Sequence, residues 1–195
     1  KHEIKEHSLE KLVEQWQVSK HMMPNLKYYQ IHSATFDSGV LENQAVLNKL
    51  HQIQKETGLK IGITTSGANQ KEVIEAALKV KINDNCLFDS FQVTYNVFDQ
   101  SLATIANDLK KANKRLIIKE ALANGKVFPN SNFPHYNKLY AVLNQLAKQY
   151  NVGVDAIALR FCEDSLSPFQ LLSGAAIEEH IIANLKVNDF RLKSY

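Results

Sequence analysis

The sequence predicts an α/β fold with parallel strands, a partial (β/α)8 TIM barrel of about five β-α units. Short apolar segments alternate with amphipathic helical ones along most of the chain, and strict alternation implies parallel strands joined by right-handed crossovers. The strand candidates are short and apolar, as strands covered on both faces must be. Neither GxGxxG nor a P-loop occurs, so no nucleotide fingerprint supports a doubly wound sheet instead.

Each element has its own signal. Ser8 can cap a helix reaching about Met23, with Leu12, Val13 and Trp16 apolar, and Pro24 and Asn25 stop it. LKYYQIH (26–32) reads as a strand. Asn43 can cap a helix carrying Val46, Leu47, Leu50 and Ile53 on one face, with Gly58 closing it. LKIGITT (59–65), LFDSFQVTY (87–95), RLIIKEA (115–121) and FQLLSGA (169–175) are the remaining strands. Helices are predicted over 70–80, near 101–112, and over 137–150, 154–164 and 177–186.

A hydrophobic content of 45% over 195 residues is enough for one sizeable core, and no linker divides the chain, so residues 1–195 read as a single domain. A net charge of +3, with lysines spread along helices, is too mild to argue for a nucleic-acid partner, and none is expected. No apolar run approaches the roughly 20 residues of a membrane span. Cys86 and Cys162 lack metal-ligand spacing and read as reduced, packed thiols in a cytoplasmic protein. Five histidines (His2, His7, His21, His51 and His135) share no ligand spacing either. A complete barrel needs eight units and about 250 residues. The expectation is therefore the later part of a barrel, with early strands lying before Lys1. Five strands alone leave two parallel edges that the early strands or another chain would cover.

Function in such barrels gathers at the C-terminal strand ends. Those ends carry His32 and Ser33; Thr64, Thr65 and Ser66; Gln92, Thr94, Tyr95 and Asn96; Lys119 and Glu120; and Ser173 and Gly174. Five polar ends after apolar bodies point to a shared pocket. Lys119 and Glu120 are adjacent, so strand alternation directs them to opposite faces.

These segments resemble the aldo-keto reductase superfamily. LKYYQIHSA resembles the strand ending in that family's active-site histidine, LKIGITTSG its IGVSN strand, and FQVTYN its QVEYN strand. IIKEALANG resembles YSPLGQG, and LLSGAAIEEHIIANL the closing cofactor segment. The resemblance implies NADPH or NADH bound in the barrel mouth and hydride transfer to a small aldehyde or ketone. His32 would orient the carbonyl oxygen, while Thr64 and Gln92 would hold the nicotinamide carboxamide. Lys119 stands where an aromatic usually stacks on the nicotinamide. Leu122 and Gly125 would follow the pyrophosphate, and Ser173, Gly174 and Ala175 would lead a helix N-terminus to a phosphate. His180 and Asn184 would meet the adenosine end.

The family's aspartate and tyrosine belong to the early strands. Its lysine falls near Lys1, 31 positions before His32, with Lys5 a rival. Ala183 replaces a frequent glutamate, and no basic residue precedes Lys186 in the closing segment, which leaves NAD and NADP both open. Two other readings compete: a nucleotide-binding regulatory member without turnover, and a barrel enzyme using Lys119 as a Schiff-base amine.

Overall fold

A computed structural model describes residues 5–65 and 67–193, so the expectations placed on Lys1 and Ser66 lie outside the described residues. The fold is α/β, with five parallel strands alternating with helices. The chain forms two compact units, Lys1–Val93 with Asp108–Arg115, and Thr94–Asn107 with Leu116–Tyr195.

The first unit opens with helix α1 (Leu9–Ser19), capped by the Ser8 hydroxyl accepting the Lys11 N–H at 3.1 Å. Strand β1 (Tyr28–Ala34) follows. Helix α2 (Gln44–Thr57) starts where Asn43 Oδ1 accepts the Val46 N–H at 3.3 Å and ends at left-handed Gly58, φ +74°. Strand β2 (Lys60–Thr65) and helix α3 (Gln70–Ala77) come next. A hairpin of β3 (Lys81–Ile82) and β4 (Asn85–Cys86) then intervenes, which periodicity does not predict. Its turn residues Asn83 and Asp84 both have φ > 0, as a two-residue hairpin of matching twist requires. The hairpin takes up chain before β5 (Ser90–Thr94), so this strand begins three residues later than its apolar run predicts. It also leaves Cys86 exposed, correcting the expectation that both cysteines pack internally.

Strands β1, β2 and β5 lie side by side, all parallel. Buried Val46, Leu47, Leu50 and Ile53 of α2, and Val73 and Ile74 of α3, make the unit's helical apolar layer. Each such side chain contributes about 1.5–3 kcal/mol on burial. Tyr28 and Tyr29 are half-buried. Tyr29 meets Trp16 edge-on at 5.3 Å, and burial raises its phenol pKa.

Helix α4 (Ala103–Lys111) links the units in sequence. The second unit holds β6 (Arg115–Lys119, from Leu116 onward), α5 (Asn137–Tyr150), α6 (Val154–Leu166), β7 (Gln170–Leu171) and α7 (Glu178–Leu185). β7 pairs in parallel with β6 over two residues only, so most of the predicted strand 169–175 is loop. Leu143, Ala147 and Ile157 form a core on which Tyr150, Phe190 and Leu192 pack.

Candidate functional site

In the first unit, strand register sorts side chains onto two faces. Gln30, Gly62 and Ser90 are aligned across β1, β2 and β5, and Thr64 is aligned with Gln92. Alternation puts these on one face together with Tyr28 and His32, leaving Ile31, Ile61, Ile63, Phe91 and Val93 on the other. One face is therefore polar and the other apolar. Gln30 Nε2 donates to Ser90 Oγ at 3.1 Å across Gly62. Only a residue without a Cβ fits between them, since a Cβ at Gly62 would lie 2.1 Å from Ser90 Oγ.

The C-terminal end of this face is shaped by a break in β1. Register shifts between Ile31 and Ala34, where Ser33 is left-handed at φ +53°. The Ser33 N–H donates to Thr64 Oγ1 at 2.8 Å. Thr64 is buried and Gln92 half-buried. The exposed His32 has its carbonyl oxygen 2.7 Å from His7 Nε2, which must carry the proton, and its own Nε2 lies 3.4 Å from Ser33 Oγ. His32, Thr64 and Gln92 thus occupy neighbouring strand ends on one polar face.

In the second unit, a cleft of about 440 Å³ is lined by Lys119, Glu120, Ala121, Leu122, Asn124, Gly125, Leu172, Ser173 and Gly174. Five of the residues expected to hold a cofactor (Lys119, Leu122, Gly125, Ser173 and Gly174) share this cleft. Ala175 is adjacent, its N–H donating to Ser173 Oγ at 3.3 Å. The backbone here is unusual: Glu120, Ala123, Asn124 and Gly125 all have φ between +49° and +86°. For Glu120 and Ala123 this costs on the order of 1–2 kcal/mol each, strain of the kind that collects at functional sites.

That backbone overturns the expected separation of Lys119 and Glu120. Alternation holds only within extended chain, and Glu120 at φ +56° turns back. Lys119 Nζ and Glu120 Oε1 are 3.2 Å apart, and the Thr94 hydroxyl joins both, accepting from Lys119 and donating to Glu120, each at 3.1 Å. Asn96 Nδ2 donates to the Glu120 carbonyl at 2.9 Å and holds the turn. Ala121, Asn124 and Leu172 line the cleft without a site role in the sequence reading. Asn124 has a signal, since an asparagine before a glycine tolerates the left-handed region. Leu172 has none.

On α7, His180 is exposed, whereas Asn184 is only 5% exposed. Neither Asn184 amide atom has a hydrogen-bond partner among the described residues. A buried amide left so costs about 1–3 kcal/mol, and with both atoms closed to solvent a ligand reaches it where the side chain turns outward. Cys162, in contrast, is inert: burial pushes its thiol up to about 12, and it donates to the Tyr95 carbonyl.

The parallel strands and polar strand ends define an α/β chain with a polar cleft of about 440 Å³ in its second unit. A profile of the Aldo/keto reductase family matches residues 4–195, and the chain belongs to that family. Solved structures agree on the fold. The aldo-keto reductase AKR11C1 from Bacillus halodurans in its holo form superposes with a TM-score of 0.71 at 16% identity, covering 96% of this chain and 65% of that one. Its apo form gives 0.70 at 15% identity, covering 98% and 66%. The thermostable aldo-keto reductase Tm1743, bound to the inhibitor epalrestat, gives 0.67 at 18%, covering 94% and 62%. The chain therefore spans somewhat less than two thirds of the length of these structures. A search of curated protein sequences finds no match. Among the described residues no helix is long and apolar enough to cross a membrane.

Proposed function

We propose that the chain carries the cofactor-binding part of a nicotinamide-dependent oxidoreductase that reduces small aldehydes or ketones. The observation that supports this most is the second unit's cleft, where Lys119, Leu122, Gly125, Ser173 and Gly174 meet on a strained backbone. The unpartnered Asn184 amide fits the same reading, because adenine offers both a donor and an acceptor. NADH or NADPH would supply the hydride. Gln92 would hold the carboxamide, aided by the hydroxyl proton of Thr64, whose acceptor side is engaged by Ser33. Leu122, Gly125, Ser173, Gly174 and Ala175 would line the phosphates, and His180 and Asn184 the adenosine. His32 would donate to the carbonyl oxygen as charge develops there. The acidic and proton-donating partners would come from early strands or another chain covering the sheet edge that β1 forms among the described residues, in a cytoplasmic protein.

One observation favours a second reading. Lys119 is tied to Glu120 and Thr94 and cannot stack on a ring, so a nucleotide-binding regulatory protein is the alternative. Titrating NADH and NADPH by fluorescence, beside a turnover assay with a reactive aldehyde and the full-length protein, separates the two. Binding with turnover is expected. Binding without turnover supports the regulatory reading, and the absence of binding by either nucleotide refutes both.

A further inference from the structure

Helix α7 is held in an unusual way. Ile177 before it, and Ile181, Ile182 and Leu185 within it, are each about half exposed or more. Its N-terminus has no side-chain cap, and the residue it buries is Asn184. A helix that buries an unpartnered amide in place of an aliphatic stripe is not positioned by its own apolar packing. It lies against α6 and against the turn that follows it.

The tether at its C-terminal end is a buried charge. Arg160 interrupts the buried run Ala156, Ile157, Ala158, Leu159 and Cys162 on α6 and is itself only 3% exposed. Arginine is rarely so buried unless it is paired. Its Nη1 donates to the Val187 carbonyl at 3.2 Å, in the single turn Lys186–Asp189 that follows α7 directly. Its Nη2 lies 2.7 Å from Asp164 Oδ1, one helical turn along α6. Asp164 also takes Arg191 Nη1 at 3.2 Å and the Leu192 N–H at 2.9 Å. One ion pair thus joins α6, the turn after α7 and the C-terminal segment.

We propose that Arg160 and Asp164 are positioning residues that hold α7, and with it Asn184, at the adenosine end of the cofactor, where the Asn184 side chain turns outward to meet it. The inference rests on the nucleotide reading above. Arg160 fixes the turn, the turn fixes the last residues of α7, and Asn184 is three residues before Val187. Asp164 neutralises the buried guanidinium at 2.7 Å, although Nη2 and Nε make no hydrogen bond among the described residues, and a lone buried cation would be costlier still. The pair touches no ligand and acts through Asn184.

The test is a binding cycle on the whole chain, with ADP and NADH as probes and calorimetry as the readout. Asp164→Asn and Arg160→Met are each expected to weaken ADP on the order of tenfold, with far-UV circular dichroism unchanged. Asn184→Ala is expected to weaken it similarly. The double variant Asp164→Asn/Asn184→Ala should be no weaker than Asn184→Ala, because the pair works through that amide. Should Arg160→Met fail to fold, the isosteric Asp164→Asn carries the cycle by itself. Additive losses, or an unchanged ADP affinity in Asp164→Asn, overturn the inference while leaving the nucleotide reading intact. A wild-type chain that binds neither probe overturns both.

Discussion

Replacing Gly62 by alanine tests whether the polar face of the first unit is packed as described. The new Cβ would stand 2.1 Å from Ser90 Oγ, 2.8 Å from the Ser90 carbonyl oxygen and 3.1 Å from Gln30 Cγ. The hydroxyl can rotate away, but doing so breaks the 3.1 Å bond to Gln30 and strands a fully buried group, at about 1–3 kcal/mol. The carbonyl oxygen cannot rotate, because it is backbone of β5. Strands β2 and β5 must separate slightly there, an overpacking cost of about 1–3 kcal/mol. Against this stands roughly 0.5–1 kcal/mol gained because alanine restricts the unfolded chain. The net expectation is a loss of about 2–4 kcal/mol, read from urea unfolding followed by circular dichroism. Adding Ser90→Gly should recover the hydroxyl's part and not the carbonyl's. Gly62→Ala unfolding at the wild-type midpoint would mean that the two strands do not pair in this register, and the alignment of Thr64 with Gln92 would fall with it.

Two further predictions concern single side chains. With a disulfide-exchange reagent at neutral pH, the native chain should release one equivalent of thiol, from Cys86, and two in denaturant, because burial keeps the Cys162 proton on up to about 12; two fast native equivalents would refute this. For Asp164, burial pushes the carboxyl up, but the Leu192 N–H, Arg160 and Arg191 outweigh burial and hold it below the ordinary carboxylate value. A depressed native value stabilises above the unfolded pKa, about 3.9, and that stability is lost as pH falls through the native one. Amide exchange at Leu192, corrected for its intrinsic pH dependence, should therefore quicken only below about pH 4, and Asp164→Ala should show the quickening at neutral pH.

How much was legible in advance depended on whether local chemistry decided the structure. Helix starts were readable where a short polar side chain closes the first turn, as at Ser8 and Asn43, and one stop was readable at Gly58. Strand ends were less so. The run from Phe169 to Ala175 looks like a strand, yet pairing with β6 covers two of its residues, and Phe169 and Leu172 remain exposed. The hairpin at Asn83 and Asp84 was missed because its strands are two residues long, too short for any period to show.

The candidate site divides along the same line. Motif order named five residues that share the cleft, while the period-two rule misplaced Lys119 and Glu120, which both line it. The rule assumes extended backbone, and Glu120, Ala123, Asn124 and Gly125 leave that region together. Such turns persist only when surrounding contacts outweigh their strain; here the Asn96 amide and the Thr94 hydroxyl, more than twenty residues earlier, supply them. Arg160 repeats the lesson in a helix. A charge within AIALRFC contradicts the apolar pattern on both sides, and only its i,i+4 partner Asp164 is local. The reason for its burial is tertiary, in the Val187 carbonyl. Residues that break their local pattern are where sequence reading fails and where function concentrates, so the arginine that spoils α6 and the amide buried by α7 belong to one explanation.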